Sequence, residues 1–263
     1  MATKRDKTVR TGTTGPGKEY LDIGSRDTGY GGSRWSRNTI AGVLIYKMNL
    51  ELNVKRVNPK APILEDDPDD FVGYELLVDF IKQRALYELE GDIIEIGAYM
   101  GRGTAKLAKF AQRYGKKVYA IDVFDPSADE TMSKSGIKAG YVYEAFLRGR
   151  SMLEAYQEST RGFDNILTIK EDSKNISFPR EQRFIFGFID GCHQQTYVEN
   201  DFHIIWPHIV SGGVLGLHDY KFDDWPEVTK AINKLMRRHK KEISEAYEIE
   251  GKYDILSLLL IKK

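Results

Sequence analysis

Cysteine is almost absent from this sequence, since Cys192 is the one cysteine in 263 residues. A single cysteine cannot form an intrachain disulfide, and it cannot supply a cysteine-cluster metal site. A chain without disulfides is typical of the reducing cytosol, so we expect a cytoplasmic location.

Long hydrophobic runs and an excess of either charge are also missing. No stretch approaches the roughly 18 apolar residues that a membrane-spanning helix needs. The N-terminal residues carry charge without the apolar core of a secretion signal. Lysine and arginine balance aspartate and glutamate at 39 each, so the formal net charge is zero. The sequence therefore predicts neither a membrane nor a nucleic-acid partner.

Residues 1–70 differ in composition from the rest of the chain. The first part, to about residue 34, is rich in Gly, Thr, Ser, Lys and Arg, and it has too little apolar surface to offset the entropy of ordering. Residues 39–52 are apolar enough to suggest a docking surface, through which a homo-oligomer could form. Three prolines and an acidic run then interrupt the chain over residues 58–70. We predict a partly flexible N-terminal extension, 1–70, followed by one domain, 71–263.

From residue 72 onward, helical and strand patterns alternate. Leu77, Phe80 and Ile81 lie at helical spacing and predict an amphipathic helix. Helices are also predicted over residues 104–114, 141–157 and 197–207. The segments DIIEIG, KKVYAID, NILTIKED and RFIFGFIDG are short and apolar throughout, as expected of strands that helices cover on both faces. This order predicts an α/β fold with a doubly wound, Rossmann-like, mostly parallel sheet of seven strands.

The pattern at the end of the chain helps to distinguish between the classes of protein that contain such sheets. SEAYEIEGKYDILSLLLIKK reads as two strands joined by a turn at Gly251 and Lys252, and strands so joined are antiparallel. A mostly parallel sheet closed by a C-terminal antiparallel hairpin is typical of class I methyltransferases. Nicotinamide-binding sheets continue instead with crossover helices.

The stretch EIGAYMGRGT lies between a predicted strand and a predicted helix, where parallel sheets bind ligands. Gly97 and Gly101 lack a Cβ, so the backbone there can bend sharply against a ligand. The spacing does not fit the G-x-G-x-x-G pattern of dinucleotide enzymes. Glu95 would repel a pyrophosphate, whereas a carboxylate suits the ammonium and sulfonium groups of S-adenosylmethionine.

The longer stretch IIEIGAYMGRGTAKLA resembles the first motif of the catechol O-methyltransferase-like branch of class I S-adenosylmethionine-dependent methyltransferases. That motif has an E-x-G-x-x-x-G turn and a small hydroxyl residue, which in this chain lies one position later. The resemblance extends over about residues 72–263 and implies S-adenosylmethionine as cofactor. The cofactor-binding residues that it implies in this turn are Glu95, Gly97, Ala98, Tyr99, Gly101 and Thr104.

Two further strand ends fit the same cofactor. Asp122 ends VYAID, where a carboxylate can accept hydrogen bonds from both ribose hydroxyls. Asp172 and Ser173 follow the next strand, where related enzymes hydrogen-bond the adenine amino group. The resemblance therefore adds these three residues to the predicted cofactor site, together with Asp190.

A second stretch, FIDGCHQQ followed by GGVLGLHDY, resembles the D-G-x-H and G-G-x-x-x-x-H-D signatures of a subfamily with bacterial small-molecule and sugar O-methyltransferases. Asp190 ends one strand, and His218 and Asp219 end the next. These residues should therefore meet at the edge of the sheet that carries the glycine turn. His193 lies three residues after Asp190, where the metal-dependent catechol-type enzymes have a lysine base.

The resemblance implies methyl transfer to a hydroxyl or amine of a small metabolite, sugar or natural-product intermediate. A hydroxyl must lose its proton, which calls for a general base or for a metal that lowers its pKa. His193, His218 and Asp190 are the predicted catalytic residues. Asp190 and Asp219 are the predicted ligands of a divalent cation, Mg²⁺, Ca²⁺ or Mn²⁺. Related metal enzymes have Asp-Asp or Asp-Asn where this chain has His218-Asp219, which weakens the case for magnesium.

Two other functions remain open from the sequence. One is a nicotinamide-dependent oxidoreductase, which the glycine spacing and the terminal hairpin disfavour. The other is a non-catalytic module that binds S-adenosylmethionine. The long segment after Asp122 carries Asp129 and Tyr143, and long segments at a ligand-binding edge tend to act as lids that select substrates.

Overall fold

The computed structural model describes residues 52–57, 67 and 70–263. The predicted apolar stretch at residues 39–52 lies outside these residues apart from Leu52, and of the predicted extension, 1–70, only residues 52–57, 67 and 70 are described. The described part contains an eight-stranded sheet in the order β1-β7-β8-β6-β5-β2-β3-β4. Its strands are β1 (Val54–Arg56), β2 (Asp92–Ile96), β3 (Val118–Asp122), β4 (Ile166–Lys170), β5 (Phe184–Ile189), β6 (Ile209–Tyr220), β7 (Ile243–Glu250) and β8 (Leu256–Lys262).

Helices cover the two faces of this sheet. The helices bury apolar residues against the sheet or against one another. Within the described residues these helices are α1 (Tyr74–Gln83), α2 (Arg102–Gln112), α3 (Ala139–Leu147), α4 (Met152–Thr160), α5 (Gln195–Ile205) and α6 (Pro226–His239). None of the described helices combines the length and the apolar character that crossing a membrane requires.

The predicted fold class is confirmed. Strands β2 to β6 pair in parallel, whereas β8 pairs antiparallel with both β6 and β7. The sheet has eight strands, one more than the seven predicted. Val54–Arg56 lies within the predicted extension and pairs in parallel with residues 246–248 of β7. Such a short segment is stable as a strand because β7 supplies its hydrogen-bonding partners, and three residues alone carry too little pattern to predict it.

The prediction of a single helix over residues 141–157 is wrong, because two helices occupy this region. Helix α3 ends at Leu147, and Arg148 and Gly149 both take positive φ angles, 52° and 78°. Ser151 then caps α4 by accepting a hydrogen bond from the Glu154 N–H. The apolar spacing continues through the break, so periodicity alone does not reveal it.

The strand order reverses between β2 and β5. The chain runs from β2 outward through β3 and β4, then returns to place β5 on the other side of β2. Crossover helices leave this point on opposite faces of the sheet, which opens a crevice beyond the carboxyl ends of the strands. The turn after β2 and the loop after β5 therefore face each other across the crevice.

Gly97 is the point at which these two segments touch. Its φ angle is 91°, and its N–H donates to the Ile121 carbonyl at 2.9 Å. A Cβ at this position would lie 1.9 Å from the carbonyl oxygen of Asp190. Only glycine permits both the conformation and the approach, so this residue sets the spacing between β2 and the β5 loop.

Glu95, near the end of β2, stabilises the same turn from its buried side. Its side chain is fully buried, and it accepts a hydrogen bond from the Thr104 hydroxyl of α2. Burial raises the pKa of Glu95 to about 7, although hydrogen bonds from Thr104 and Tyr74 act in the opposite direction. The carboxyl group thus ties the end of β2 to the first turns of α2.

Asp70 anchors the start of the domain. Its carboxylate accepts hydrogen bonds from the backbone N–H groups of Val72, Gly73 and Tyr74 and so caps α1. Lys106 of α2 lies 2.6 Å from the same carboxylate. These contacts hold the entry to α1 against α2 and place the next residue, Phe71, on the wall of the crevice.

We predict that Gly97→Ala destabilises the protein more than Gly115→Ala. Both glycines have positive φ, but an added Cβ meets nothing within 4 Å at position 115. The Gly115 variant should cost about 1 kcal/mol of unfolding free energy, and the Gly97 variant about 3 kcal/mol or more, because overpacking adds to the conformational strain. Urea unfolding of the two variants gives the comparison. Equal losses of unfolding free energy in the two variants would contradict the close approach of Gly97 to the Asp190 carbonyl.

We also predict a pH-dependent contribution from Glu95. Because its folded pKa lies above the ordinary value of 4.5, the folded state binds more protons between about pH 4.5 and 7. The stabilisation is complete below that window and is lost as the pH rises through 7. As the pH rises from about 4.5 to 7, the unfolding free energy of the wild type should therefore fall by up to about 3 kcal/mol more than that of Glu95→Gln.

The control for this measurement is Glu90→Gln, at an exposed glutamate just before β2. That variant should keep the wild-type pH dependence when unfolding is followed at a series of pH values. If the unfolding free energies of wild type and Glu95→Gln change with pH in parallel, Glu95 is not protonated more readily in the folded state.

Candidate active site

A cavity of about 480 Å³ opens at the carboxyl ends of the strands, where the strand order reverses. Its walls come from the turn after β2, the segment after β3, the loop after β5 and the end of β6. Most predicted site residues meet there although they lie far apart in sequence. Those that line the cavity are Gly97, Tyr99, Asp122, Asp172, Ser173, Asp190, His193, His218 and Asp219.

Four residues of the predicted cofactor turn do not line the cavity. Glu95 and Thr104 are fully buried behind it and bond to each other. Ala98 packs in an apolar cluster, and Gly101 is the left-handed N-cap of α2. A carboxylate buried in this way does not face a cationic ligand, so the sequence-based electrostatic argument for Glu95 is replaced by a supporting role in the turn.

Asp122 is held at the end of β3 by backbone groups. Its Oδ2 accepts from the Tyr99 N–H at 2.8 Å, and its Oδ1 accepts from the Phe124 N–H at 2.6 Å. Burial raises the pKa of Asp122, while these hydrogen bonds lower it in part. The carboxylate is thereby fixed in orientation on the cavity wall, next to the turn that carries Gly97.

The end of β4 contributes a second polar wall. Asp172 accepts hydrogen bonds from the Tyr197 hydroxyl at 2.9 Å and from the Lys174 N–H at 2.9 Å. The Lys174 ammonium lies 3.4 Å from the centre of the Tyr197 ring. Ser173 is buried beside them. This wall joins the β4 loop to α5.

Asp190, His218 and Asp219 form a compact cluster at the ends of β5 and β6. One ligand atom from each lies within 4.8 Å of the others. His218 Nδ1 is 3.0 Å from Asp190 and 3.4 Å from Asp219, but neither ring nitrogen has a well-aligned hydrogen-bond partner among the described residues. Burial lowers the pKa of His218, and the two carboxylates outweigh it and raise the pKa well above its ordinary value.

This donor set fits a divalent cation. Carboxylate oxygens from Asp190 and Asp219 suit Mg²⁺, Ca²⁺ and Mn²⁺, and an imidazole nitrogen favours the transition metal among them. The buried ring of His218 has no aligned partner in the described part of the chain, which leaves a nitrogen available. The residues could therefore hold a cation with a mixed oxygen and nitrogen shell.

His193 joins two carboxylates that come from different parts of the chain. Its Nδ1 lies 2.7 Å from Asp129, and its Nε2 lies 3.0 Å from Asp219. The ring also stacks on Trp225, with 4.2 Å between the ring centres. His193 is thus a buried bridge between the segment after β3 and the end of β6.

The surroundings of His193 favour its protonated form. Burial lowers its pKa, but the hydrogen bonds with Asp129 and Asp219 outweigh burial and raise the pKa to about 10. Both ring nitrogens face carboxylates, and this geometry favours a bridging role. The catalytic role of His193 stays a prediction.

Two residues of the site could not be assigned a role from the sequence. The sequence marks Asp129 only as an acidic residue of a long segment, and its contact with His193 joins residues 64 positions apart. Trp225 precedes α6 without any motif around it. Cys192, beside His193, is unsuited to be a nucleophile because burial raises the pKa of its thiol to about 12.

The sequence matches one family model. Residues 94–220, just under half of the chain, match the family described as a methyltransferase domain, Methyltransf_24. This range begins in β2 and ends at the last residue of β6, so it includes the glycine turn and the Asp190, His218 and Asp219 cluster. No curated protein sequence matches the chain.

Solved structures with a similar fold were also found. The O-methyltransferase NovP aligns with 72% of this chain and 79% of its own, at 16% identity and a TM-score of 0.52. CalS11, a calicheamicin methyltransferase, aligns with 74% of this chain and 80% of its own, at 15% identity and a TM-score of 0.51. At such identities the likeness concerns the fold. Residues 94–220 thus resemble the methyltransferase-domain family model, and the described part of the chain shares the Rossmann-like α/β fold of these structures.

Proposed function

We propose that this protein transfers a methyl group from S-adenosylmethionine to a hydroxyl or amine of a small metabolite, such as a sugar or a natural-product intermediate. One observation carries the proposal: a single cavity extends from the Asp122 carboxylate, past Gly97, to the cluster of Asp190, His218 and Asp219. The names of the two similar structures, an O-methyltransferase and a calicheamicin methyltransferase, are consistent with it.

The cofactor would lie along the ends of β2, β3 and β4. Asp122 is oriented by two backbone N–H groups to accept hydrogen bonds from the ribose hydroxyls. Asp172 and Ser173 form the wall suited to the adenine ring, and the bend at Gly97 leaves room beside the Asp190 loop for the methionine part. When bound, S-adenosylmethionine supplies an electrophilic methyl carbon on a positively charged sulfur.

At the other end of the cavity, the acceptor oxygen must lose its proton as it takes the methyl group. Asp129 and Asp219 are both engaged by His193. Asp190 is the most exposed carboxylate of the group, with 22% of its side chain accessible against 8% for each of the others. Asp190 is therefore best placed to accept the proton, while the His218 ring beside it favours the deprotonated oxygen.

A divalent cation held by Asp190, His218 and Asp219 is the alternative use of the same cluster. Such an ion would lower the pKa of an acceptor hydroxyl. Asp190 would then act as a ligand instead of a base, and the two roles can be separated by removing metal from the protein.

A nicotinamide oxidoreductase is less well supported. The turn after β2 lacks the spacing that brings a pyrophosphate to a helix N-terminus, and the carboxylates of Asp190 and Asp219 add negative charge nearby. A non-catalytic binding module would not need the buried carboxylate and imidazole groups gathered beyond the cofactor end of the cavity.

We predict that Asp122→Ala weakens S-adenosylmethionine binding by more than tenfold, since it removes the acceptor of both ribose hydroxyls. Isothermal titration calorimetry measures the affinity, and thermal unfolding checks that the variant is folded. Asp164→Ala is the matched control, because that exposed aspartate lies before β4, at the opposite edge of the sheet. An Asp122 variant with wild-type affinity would remove this residue from the cofactor site.

We further predict that methyl transfer falls at least tenfold after exhaustive dialysis against EDTA and returns on addition of Mn²⁺ or Mg²⁺. Asp219→Asn should abolish this recovery and weaken Mn²⁺ binding measured by electron paramagnetic resonance. Full activity after chelation, together with an inactive Asp190→Asn variant, would instead assign Asp190 as the proton acceptor without a metal.

A further inference from the structure

Apart from two histidines, the charged residues on the wall of the cavity are all acidic. Nine of its lining residues are aspartate or glutamate, and none of those described is lysine or arginine. This differs sharply from the whole sequence, in which the two signs balance. Carboxylates that line one concave surface reinforce one another and raise the local concentration of cations.

The groups assigned to the proposed function do not neutralise this charge. His193 and His218 offset two carboxylates when both rings are protonated. S-adenosylmethionine, with two cationic groups and one carboxylate, adds one net positive charge. A divalent cation at Asp190 and Asp219 would add two more. The cavity remains negative, and Asp224 at its wall faces no basic side chain within the described lining.

Aromatic rings form a continuous surface beside these carboxylates. Phe146, Phe71, Tyr99 and Tyr143, which we call the aromatic belt, follow one another with 4.5, 6.0 and 5.4 Å between neighbouring ring centres. All four line the cavity. The belt reaches from the partly exposed Phe146 inward to Tyr143, whose ring lies 6.3 Å from that of His193.

Rings and carboxylates together recognise organic cations. The face of an aromatic ring attracts an ammonium group, and the attraction grows when both are shielded from water. A carboxylate adds direct charge pairing. An anionic acceptor would meet no lysine or arginine on the described wall, and carboxylates of like charge would disfavour its binding.

The buried ring of His218 indicates where the reacting group of such a molecule would lie. It is 6% exposed, it lines the cavity, and neither of its nitrogens has an aligned partner in the described part of the chain. A hydroxyl or amine of the acceptor could supply that partner. The reacting group would then lie at the inner end of the belt, with the rest of the molecule along the rings.

We infer that the methyl acceptor is an organic cation: a molecule with an apolar body and a protonated amine, held by the aromatic belt and the carboxylates beside it. This inference rests on the proposed methyltransferase function and narrows its substrate class. It disfavours phosphorylated acceptors, nucleotide-linked sugars and nucleic acid, all of which carry negative charge.

The test begins with a metabolite extract of the source cell, separated by ion exchange into cationic, neutral and anionic fractions. Each fraction is incubated with the full-length protein and S-adenosylmethionine that carries a deuterated methyl group, and labelled products are found by mass spectrometry. We expect label in the cationic fraction. Label confined to the neutral or anionic fraction, or no label in the cationic fraction, overturns the inference.

Calorimetry with S-adenosylmethionine alone separates this result from the proposed function. If the protein binds the cofactor but labels only neutral or anionic molecules, the substrate class is wrong and the methyltransferase function stands. If the protein does not bind the cofactor and labels nothing, the proposed function itself fails.

Once the labelled acceptor is identified, Phe146→Leu tests the aromatic belt. Leucine keeps an apolar side chain but removes the ring face, so the KM for the acceptor should rise roughly three- to tenfold while cofactor affinity stays unchanged. Tyr114→Leu is the control, because that exposed ring stacks on Tyr87 and does not line the cavity. An unchanged KM for Phe146→Leu would exclude recognition by the belt.

Discussion

The structure depends most on the contact between the backbone of Gly97 and the carbonyl of Asp190, at the point where the strand order reverses. This contact brings the turn after β2 against the loop after β5. The carboxylate of Asp122 belongs to one side of it, and the cluster of Asp190, His218 and Asp219 to the other. Any side chain at position 97 would separate the two halves of the site. The glycine is therefore required by the geometry of the whole crevice, beyond the needs of its own turn.

A second constraint is electrostatic. His193 and His218 lie among Asp129, Asp190 and Asp219, and each imidazole is held as a cation by the carboxylates around it. Buried like charges repel unless something of opposite sign separates them. The two rings provide that separation, and they also tie the segment after β3 to the ends of β5 and β6. In the same group Asp190 is the carboxylate that remains most exposed, with 22% of its side chain accessible.

Most of the residues that the motifs named meet in the cavity, but the motifs did not give the surroundings of each side chain. Glu95 follows the pattern of a ligand-facing acid, and in the structure it is buried and bonded to Thr104. Histidine ordinarily has a pKa near neutrality, and the two carboxylates beside His193 raise its pKa to about 10. In both cases the residue type gives the intrinsic chemistry of the side chain, and only its neighbours determine its charge.

Local patterns in the sequence were enough to determine the alternation of strands and helices, the C-terminal hairpin and the position of the polar strand ends. These features follow from hydrophobic periodicity and chain connectivity, which act over a few residues. The break at Arg148 and Gly149 is local, but the apolar spacing that continues through it hides it. The tertiary structure decided the added strand Val54–Arg56, the bridge from Asp129 to Asp219 and the excess of carboxylates on the cavity wall. Each of these three depends on groups brought together from distant parts of the chain, and no short window of sequence contains both partners.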